Sequence, residues 1–359
     1  MSNETTHEAA AEALAGRLFE ATLGAMDLLT VYLGNRLGLY RVLAEGPATA
    51  AELAPRAKAD PRYVREWLEQ QGATGIIDWS GEGDTRVFSL PSGHADVLIN
   101  EQSLAYMAPI ARFVVALGRT MDQVADAFTT GAGVDWSVFG ADAIEAQAAF
   151  NRPMFQHQLA QEYIPKVPAL HARLQEPGAR MADIGAGGGW SSIAMATAYP
   201  NLRVDGFDID PSSVELAMRN AAKAGVGDRV RFHCMDAALA PGAGSYDLVT
   251  AFECIHDMPD PVGVLRSMKR LGAPRAAWLV MDENVADHYS PEAGPIERLM
   301  YGFSVLCCLP AGRVQTPSAA TGTVMRAGTF RAYATDAGFG SVEVLPIEHD
   351  MFRFYRLAL

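Results

Sequence analysis

Met181-Ala-Asp183-Ile-Gly185-Ala-Gly187-Gly-Gly189 is the stretch whose reading decides the fold. Strand-like Arg180–Ile184 runs into it and the helix-like Ser191–Tyr199 leaves it. Glycines at such a turn let the backbone approach a ligand and present amide donors at a helix N-terminus. The acidic residue two before the first glycine narrows the reading. A carboxylate at Asp183 repels a pyrophosphate but accepts from an ammonium group, so the turn points to an amino-acid-bearing nucleotide rather than to a dinucleotide. Asp208 follows 25 residues later at the end of strand-like Arg203–Ile209, where a carboxylate can accept from both ribose hydroxyls. Asp236 follows 28 residues after that, in Cys234-Met235-Asp236-Ala237, placed to accept from an adenine amino group while Met235 flanks the ring. Three acidic residues at three successive strand ends make one ligand crevice, where open α/β sheets bind their ligands.

Outward from the turn the pattern alternates. Helix-like Ser212–Ala224, strand-like Val230–Met235 and Tyr246–Phe252, helix-like Pro261–Leu271 and strand-like Ala276–Asp282 follow one another. The tail, Phe330–Phe354, reads as a helix, the break Ala337-Gly338-Phe339 and two strands. Alternating strands and helices predict an α/β domain over residues 179–359, a mostly parallel Rossmann-like sheet covered on both faces. The first half reads differently. Residues 1–15 are Ala- and Glu-rich and read as a frayed end, and Leu18–Leu43 has helical apolar spacing. Thr49 with Glu52 has capping-box spacing before a short helix, Ala50–Arg56. Asp60-Pro61 opens a second helix, Arg62–Gln71. Strand-like Gly75–Trp79 and Arg86–Leu90 flank the polar loop Ser80–Asp84, a hairpin signal. Helix, short helix, helix and hairpin predict a mainly α, winged-helix-like domain over residues 1–98. Residues 99–178 read as a helical connector, contributing to a substrate pocket.

The second half resembles the class I S-adenosylmethionine-dependent methyltransferases. The resemblance rests on the Asp183–Gly189 turn, Gly206-Phe-Asp208, Ala221-Ala-Lys-Ala-Gly225-Val, Cys234-Met-Asp236-Ala, Tyr246-Asp-Leu-Val249 and Ala337-Gly338-Phe339. It implies S-adenosyl-L-methionine as cofactor, held by Asp183, Gly185, Gly187, Gly189, Asp208, Met235, Asp236, Ala237 and Phe252.

After the fourth strand comes Phe252-Glu253-Cys254-Ile255-His256-Asp257-Met258-Pro259-Asp260, similar to the His-Asp-aromatic-x-Asp signature of small-molecule O-methyltransferases. In that family the His is the general base. Histidine suits the task because its unperturbed pKa of about 6.5 lies near working pH. The sequence departs from the family with Met258 in place of the usual Trp, and with Leu271-Gly-Ala-Pro-Arg275 in place of Pro-Gly-Gly. In Val280-Met281-Asp282-Glu283-Asn284 an acidic residue is expected to orient the His. Asp282 aligns best, and Glu253 and Asp257 are alternative partners. The catalytic candidates are therefore His256 and Asp282. Phe150-Asn151-Arg152-Pro153-Met154 resembles the family's Phe-Asn-x-x-Met element, which flanks the acceptor. Phe150, Met154, Met300, Tyr301 and Cys307 are the candidate lining of an acceptor cavity. Adjacent Cys307 and Cys308 point in different directions on regular structure and have no third ligand nearby in sequence, so no metal is expected.

The family's N-terminal domain dimerises and lends residues to the partner's pocket, which implies a homodimer here. The rival is a ligand-responsive DNA-binding protein, and charge argues against it. Residues 1–98 carry eight Lys and Arg against fourteen Asp and Glu, a net −6. The second helix of the pattern holds Glu66 and Glu69 beside Arg62 and Arg65, where a DNA reader presents a basic face. The whole chain, at −13, disfavours nucleic acid and anionic membranes alike. Four cysteines in 359 residues exclude a disulfide scaffold. Lacking a readable secretory signal and a long apolar run, the chain is expected to be cytoplasmic. A small-molecule acceptor is expected, with O-methylation first. S-methylation of a thiol is the alternative, and a non-methylating enzyme on this fold the next.

Overall fold

The computed structural model describes residues 2–359. Met1, part of the stretch read as frayed, lies outside the described residues. The rest of that stretch runs inside one long helix, Ser2–Arg36, in keeping with Ala and Glu being strong helix formers. The described residues divide into two compact units, Met1–Val115 and Ala116–Leu359.

In the first unit, helices Leu39–Ala44, Ala50–Arg56 and Pro61–Ala73 follow the long helix. The capping box forms as its spacing predicts: the Thr49 side chain accepts from the Glu52 amide and Glu52 reaches back to the Thr49 amide. Asp60 caps the next helix, with Pro61 at its first position. Strands β1 (Asp78–Ser80) and β2 (Val87–Ser89) pair antiparallel, Trp79 opposite Phe88. The first strand is shorter than expected. Gly75 is left-handed, and the Ile76 and Ile77 amides bond back to the Gln71 carbonyl as a helix terminus. Leu39, Tyr40, Leu43, Leu53, Leu68 and Phe88 form the core.

The second unit is built on a seven-stranded sheet in the order β5-β4-β3-β6-β7-β9-β8. Its strands are β3 (Arg180–Ile184), β4 (Arg203–Asp208), β5 (Val230–Cys234), β6 (Tyr246–Phe252), β7 (Gly272–Glu283), β8 (Ser341–Val344) and β9 (Phe352–Ala358). β3 to β7 are parallel to their neighbours, and β9 pairs antiparallel with β7 and β8. The period of two sorts their side chains between two cores. Met181, Leu248 and Met281 face the helix Trp190–Ala198. Ala182, Val249 and Val280 face the helices Pro261–Leu271 and Ala327–Asp336. The expected connector is not a separate layer. Met154, Phe155, Leu159, Tyr163 and Leu174 belong to the first of these cores. Strand order reverses between β3 and β6, which opens a crevice at their carboxyl ends.

Candidate active site

Three of the glycines in the turn after β3 take positive φ: Gly185, Gly187 and Gly189. Gly187 has φ +51° and open space where a side chain would stand, so its position is left for a ligand. Asp208, at the end of β4, accepts from the Gly187 amide at 2.8 Å and from the Asp210 amide at 2.9 Å. One carboxylate thus ties the turn to the next strand end. Burial raises its pKa above the usual carboxylate range. Asp236 is exposed and caps the short turn Ala237–Leu239, while Met235 is half-buried beside it.

Asp183 is the acidic residue of the turn. It sits opposite Thr250 of β6 and is 1% exposed. One oxygen accepts from Ser191 at 2.5 Å and Ser192 at 2.7 Å, and the other from Thr250 at 2.6 Å. Three hydroxyls donate to its two oxygens, so Asp183 fastens strand to helix.

His256 lies on the single 3₁₀ turn Ile255–Asp257 that follows β6, and is 3% exposed. Its Nδ1 stands 2.9 Å from Asp282 Oδ1 and 3.0 Å from Glu283 Oε2, both at the end of β7. Only the first contact is a hydrogen bond; Glu283 Oε2 has no hydrogen-bond partner. Burial opposes a charge on the ring, but the Glu283 and Asp282 carboxylates outweigh it and hold its pKa well above the ordinary value. Burial also pushes Glu283 well above the carboxylate range. For Asp282 the nearby His256 overcomes burial, and its pKa is lowered.

Two further groups complete the centre. Cys308 Sγ, the His256 ring and the Asp257 carboxylate lie within 4.8 Å of one another. Contact with Cys307, and then with His256 and Thr323, outweighs burial and holds the Cys308 thiol well below its ordinary pKa. Cys307, a candidate for the cavity lining, is 1% exposed. The helix Pro295–Phe303 continues as a π turn, Ser304–Cys308, which changes the angular step and turns Cys308 toward the histidine. Glu253, next to Phe252, accepts from Asn151 and, at 3.3 Å, from Gln147 of the helix Gly140–Met154.

Of the remaining candidates, Met154 and Phe252 are buried in one core, where Phe155 lies 5.7 Å from Phe252. Phe150 and Tyr301 are half-buried, and Met300 is buried. The Tyr301 hydroxyl accepts from Arg326 at 2.8 Å. Glu283 and Cys308 were not singled out in the sequence as partners of the histidine.

Comparison with known proteins follows this geometry. Residues 175–301 match the family model described as a methyltransferase domain, and residues 24–100 match that of an Rv2258c-like winged HTH domain. The mitomycin 7-O-methyltransferase MmcR is similar over 98% of this chain and 99% of its own, with TM-score 0.68 and 22% identity. The fold is that of the class I S-adenosylmethionine-dependent O-methyltransferases. Human N-acetylserotonin methyltransferase, solved in complex with SAM, shares it over 96% of this chain and 97% of its own, with TM-score 0.69 and 17% identity. A ubiquinone biosynthesis O-methyltransferase of Xanthomonas axonopodis pv. citri (strain 306) is 35% identical over 105 residues, 29% of this chain and 43% of that protein. The chain thus spans less than half the length of that curated relative.

The residues fit the nucleoside part of S-adenosylmethionine, the cofactor of this methyltransferase fold: the open place at Gly187, the Asp208 carboxylate beside it and the exposed Asp236 lie at successive strand ends. No helix among the described residues is long and apolar enough to cross a membrane.

Proposed function

We propose that this chain is an S-adenosylmethionine-dependent methyltransferase acting on a small-molecule hydroxyl, with His256 as general base. The observation that carries the reading is the His256 Nδ1–Asp282 bond of 2.9 Å at the mouth of the crevice that holds the glycine turn. The cofactor supplies an electrophilic methyl group on a sulfonium. Asp208 and Asp236 hold the nucleoside at the strand ends. Asp282 keeps the Nδ1 proton in place, which leaves Nε2 of the neutral ring to take the acceptor's proton. Phe150, Met154 and Tyr301 shape the apolar side of the acceptor site, with Cys308 in place of Cys307. Alignment of acceptor and methyl supplies most of the acceleration, and the base adds about 10²–10⁴-fold.

The raised pKa of His256 favours a second reading, a thiol acceptor. A protonated imidazole cannot take a proton, whereas a thiol of pKa about 8.5 is already partly ionised at neutral pH. One assay separates the two. Purified protein is incubated with S-adenosylmethionine and panels of phenols and thiols, and S-adenosylhomocysteine release is followed. Turnover of phenols that collapses in His256→Ala supports the base. Turnover of thiols that survives it moves the chemistry to positioning. A protein that binds neither S-adenosylmethionine nor its demethylated product by calorimetry refutes both.

The first unit is proposed as a dimerisation domain. Leu14, Leu18, Phe19, Leu23, Met26, Leu29 and Leu33 of the long helix are 42–63% exposed and recur at helical spacing. DNA binding is not proposed. Arg62 pairs with Glu66, Arg65 with Glu69 and Asp84, and Arg86 with Glu69, so the basic side chains of this face are already neutralised.

A further inference from the structure

The amino-acid arm of S-adenosylmethionine carries an ammonium group, and a group so strongly hydrated needs a charged or carbonyl acceptor when it enters a crevice. The acidic residue of the glycine turn already takes three hydroxyl donors on its two oxygens, so a carboxylate with an unbonded oxygen is the readier acceptor. Asp208 is committed to the backbone of the turn and stands at the ribose end. Asp282 and Glu283 both face the Nδ1 side of His256.

Glu253 is differently placed. It follows β6 directly, across the strand reversal from the glycine turn. A side chain on Gly185 would come within 2.7 Å of the Cys254 side chain, and Cys254 follows Glu253, so the turn and the end of β6 are packed together. The helix Gly140–Met154 forms the third wall: its Ala148 lies against Gly188, and its Gln147 and Asn151 both donate to Glu253 Oε2. Both amides therefore fix one oxygen of the carboxylate, and the other, Oε1, accepts no hydrogen bond from any described residue. Burial pushes Glu253 up to about 8, the response of a carboxyl with too few donors. The residue also holds φ +51°, in the left-handed region that favours glycine, while its amide bonds the Met281 carbonyl at 2.8 Å.

We propose that Glu253, and not Asp183, binds the α-ammonium group of S-adenosylmethionine, through the carboxylate oxygen that Asn151 and Gln147 leave free. The assignment rests on the methyltransferase reading. The test compares two ligands that share the adenosine and thioether but differ in the amino-acid arm: S-adenosylhomocysteine and 5′-methylthioadenosine. Each is titrated by calorimetry into the wild-type chain and into Glu253→Gln. The expected result is a loss of about tenfold in affinity for S-adenosylhomocysteine, the step from an ion pair to a hydrogen bond with a neutral acceptor. Affinity for 5′-methylthioadenosine stays within about twofold, which also shows that the variant is folded. Equal losses for both ligands overturn the proposal, since the side chain then only shapes the turn. Unchanged binding of both overturns it as well, and if the acceptor's KM alone rises, the carboxylate serves an amine on the acceptor. A wild-type chain that binds neither ligand defeats the methyltransferase reading itself, an outcome distinct from the others.

Discussion

Replacing Glu283 by Gln is expected to make the proposed enzyme faster at neutral pH, while replacing its neighbour Asp282 by Asn makes it slower. Both carboxylates stand about equally near His256 Nδ1, at 3.0 and 2.9 Å, but only Asp282 is hydrogen-bonded to it. Asp282 therefore orients the ring and fixes its proton, whereas Glu283 adds charge. At an effective dielectric of about 20, a full charge 3 Å from the ring is worth about 5 kcal/mol. Burial pushes the Glu283 carboxyl well above its ordinary range, so only part of that reaches the imidazole. A residual of about 1.4 kcal/mol, one pH unit, is the conservative expectation. The sign follows from the raised pKa of the histidine. The ring is protonated below that pKa and becomes a base as pH rises through it. Lowering the pKa by one unit therefore multiplies the neutral fraction at pH 7 about tenfold. The measurement is kcat/KM for a phenolic acceptor from pH 6 to 10. The wild-type rate should rise with pH, with a midpoint above that of a free imidazole. Glu283→Gln should move that rise about one unit toward acid, with an unchanged plateau. Asp282→Asn should lower the plateau by about tenfold or more, since the wrong tautomer is no longer disfavoured. If the two variants behave alike, or if Glu283→Gln lowers the rate without moving the midpoint, the division between orienting and charging fails.

Three further outcomes are expected. Asp208→Ala removes both the proposed ribose acceptor and the anchor of the Gly187 amide, so calorimetry should show S-adenosylhomocysteine affinity falling at least about tenfold. Asp183→Ala leaves three buried hydroxyls without their acceptor, at about 1–3 kcal/mol each, and should lower the melting temperature by several degrees. Had Asp183 been a cofactor contact alone, that variant would melt normally and lose only binding. Leu18→Glu combined with Leu29→Glu places charges in the exposed stripe of the long helix and should convert a dimer into a monomer in sedimentation experiments. A wild-type chain that sediments as a monomer removes the dimer proposal.

The distribution of right and wrong expectations follows from how far each feature is local. The sheet of the second unit was legible because each of its parallel strands is short, apolar and bounded by turn residues, and the period of two survives into the two cores on its faces. The winged-helix pattern was legible through its caps, Thr49 with Glu52 and Asp60 with Pro61, which are settled within four residues. The frayed end was misread because a run of Ala and Glu scores as polar and irregular while favouring the helix it forms. The site was legible at one level only. The sequence placed Asp183, Asp208, His256 and Asp282 at strand ends, and the structure has them there, but sequence spacing carries no information on which way a strand-end side chain turns. Asp183 was lost to Ser191, Ser192 and Thr250, the last of them 67 residues away on the neighbouring strand. Glu283 was not named because Asp282 aligned best with the resembled family, and strand alternation sends neighbours to opposite faces. It is the last residue of its strand, where that constraint lapses, and so it reaches the same histidine as Asp282. Cys308 was not named for the site, and the π turn at Ser304–Cys308 departs from the helical step of 3.6 residues that a sequence reading assumes. The misreadings at the site share one cause: each side chain's partner is set by backbone departing from the regular period or by a strand distant in sequence, and it is at such departures that the electrostatics around His256 are assembled.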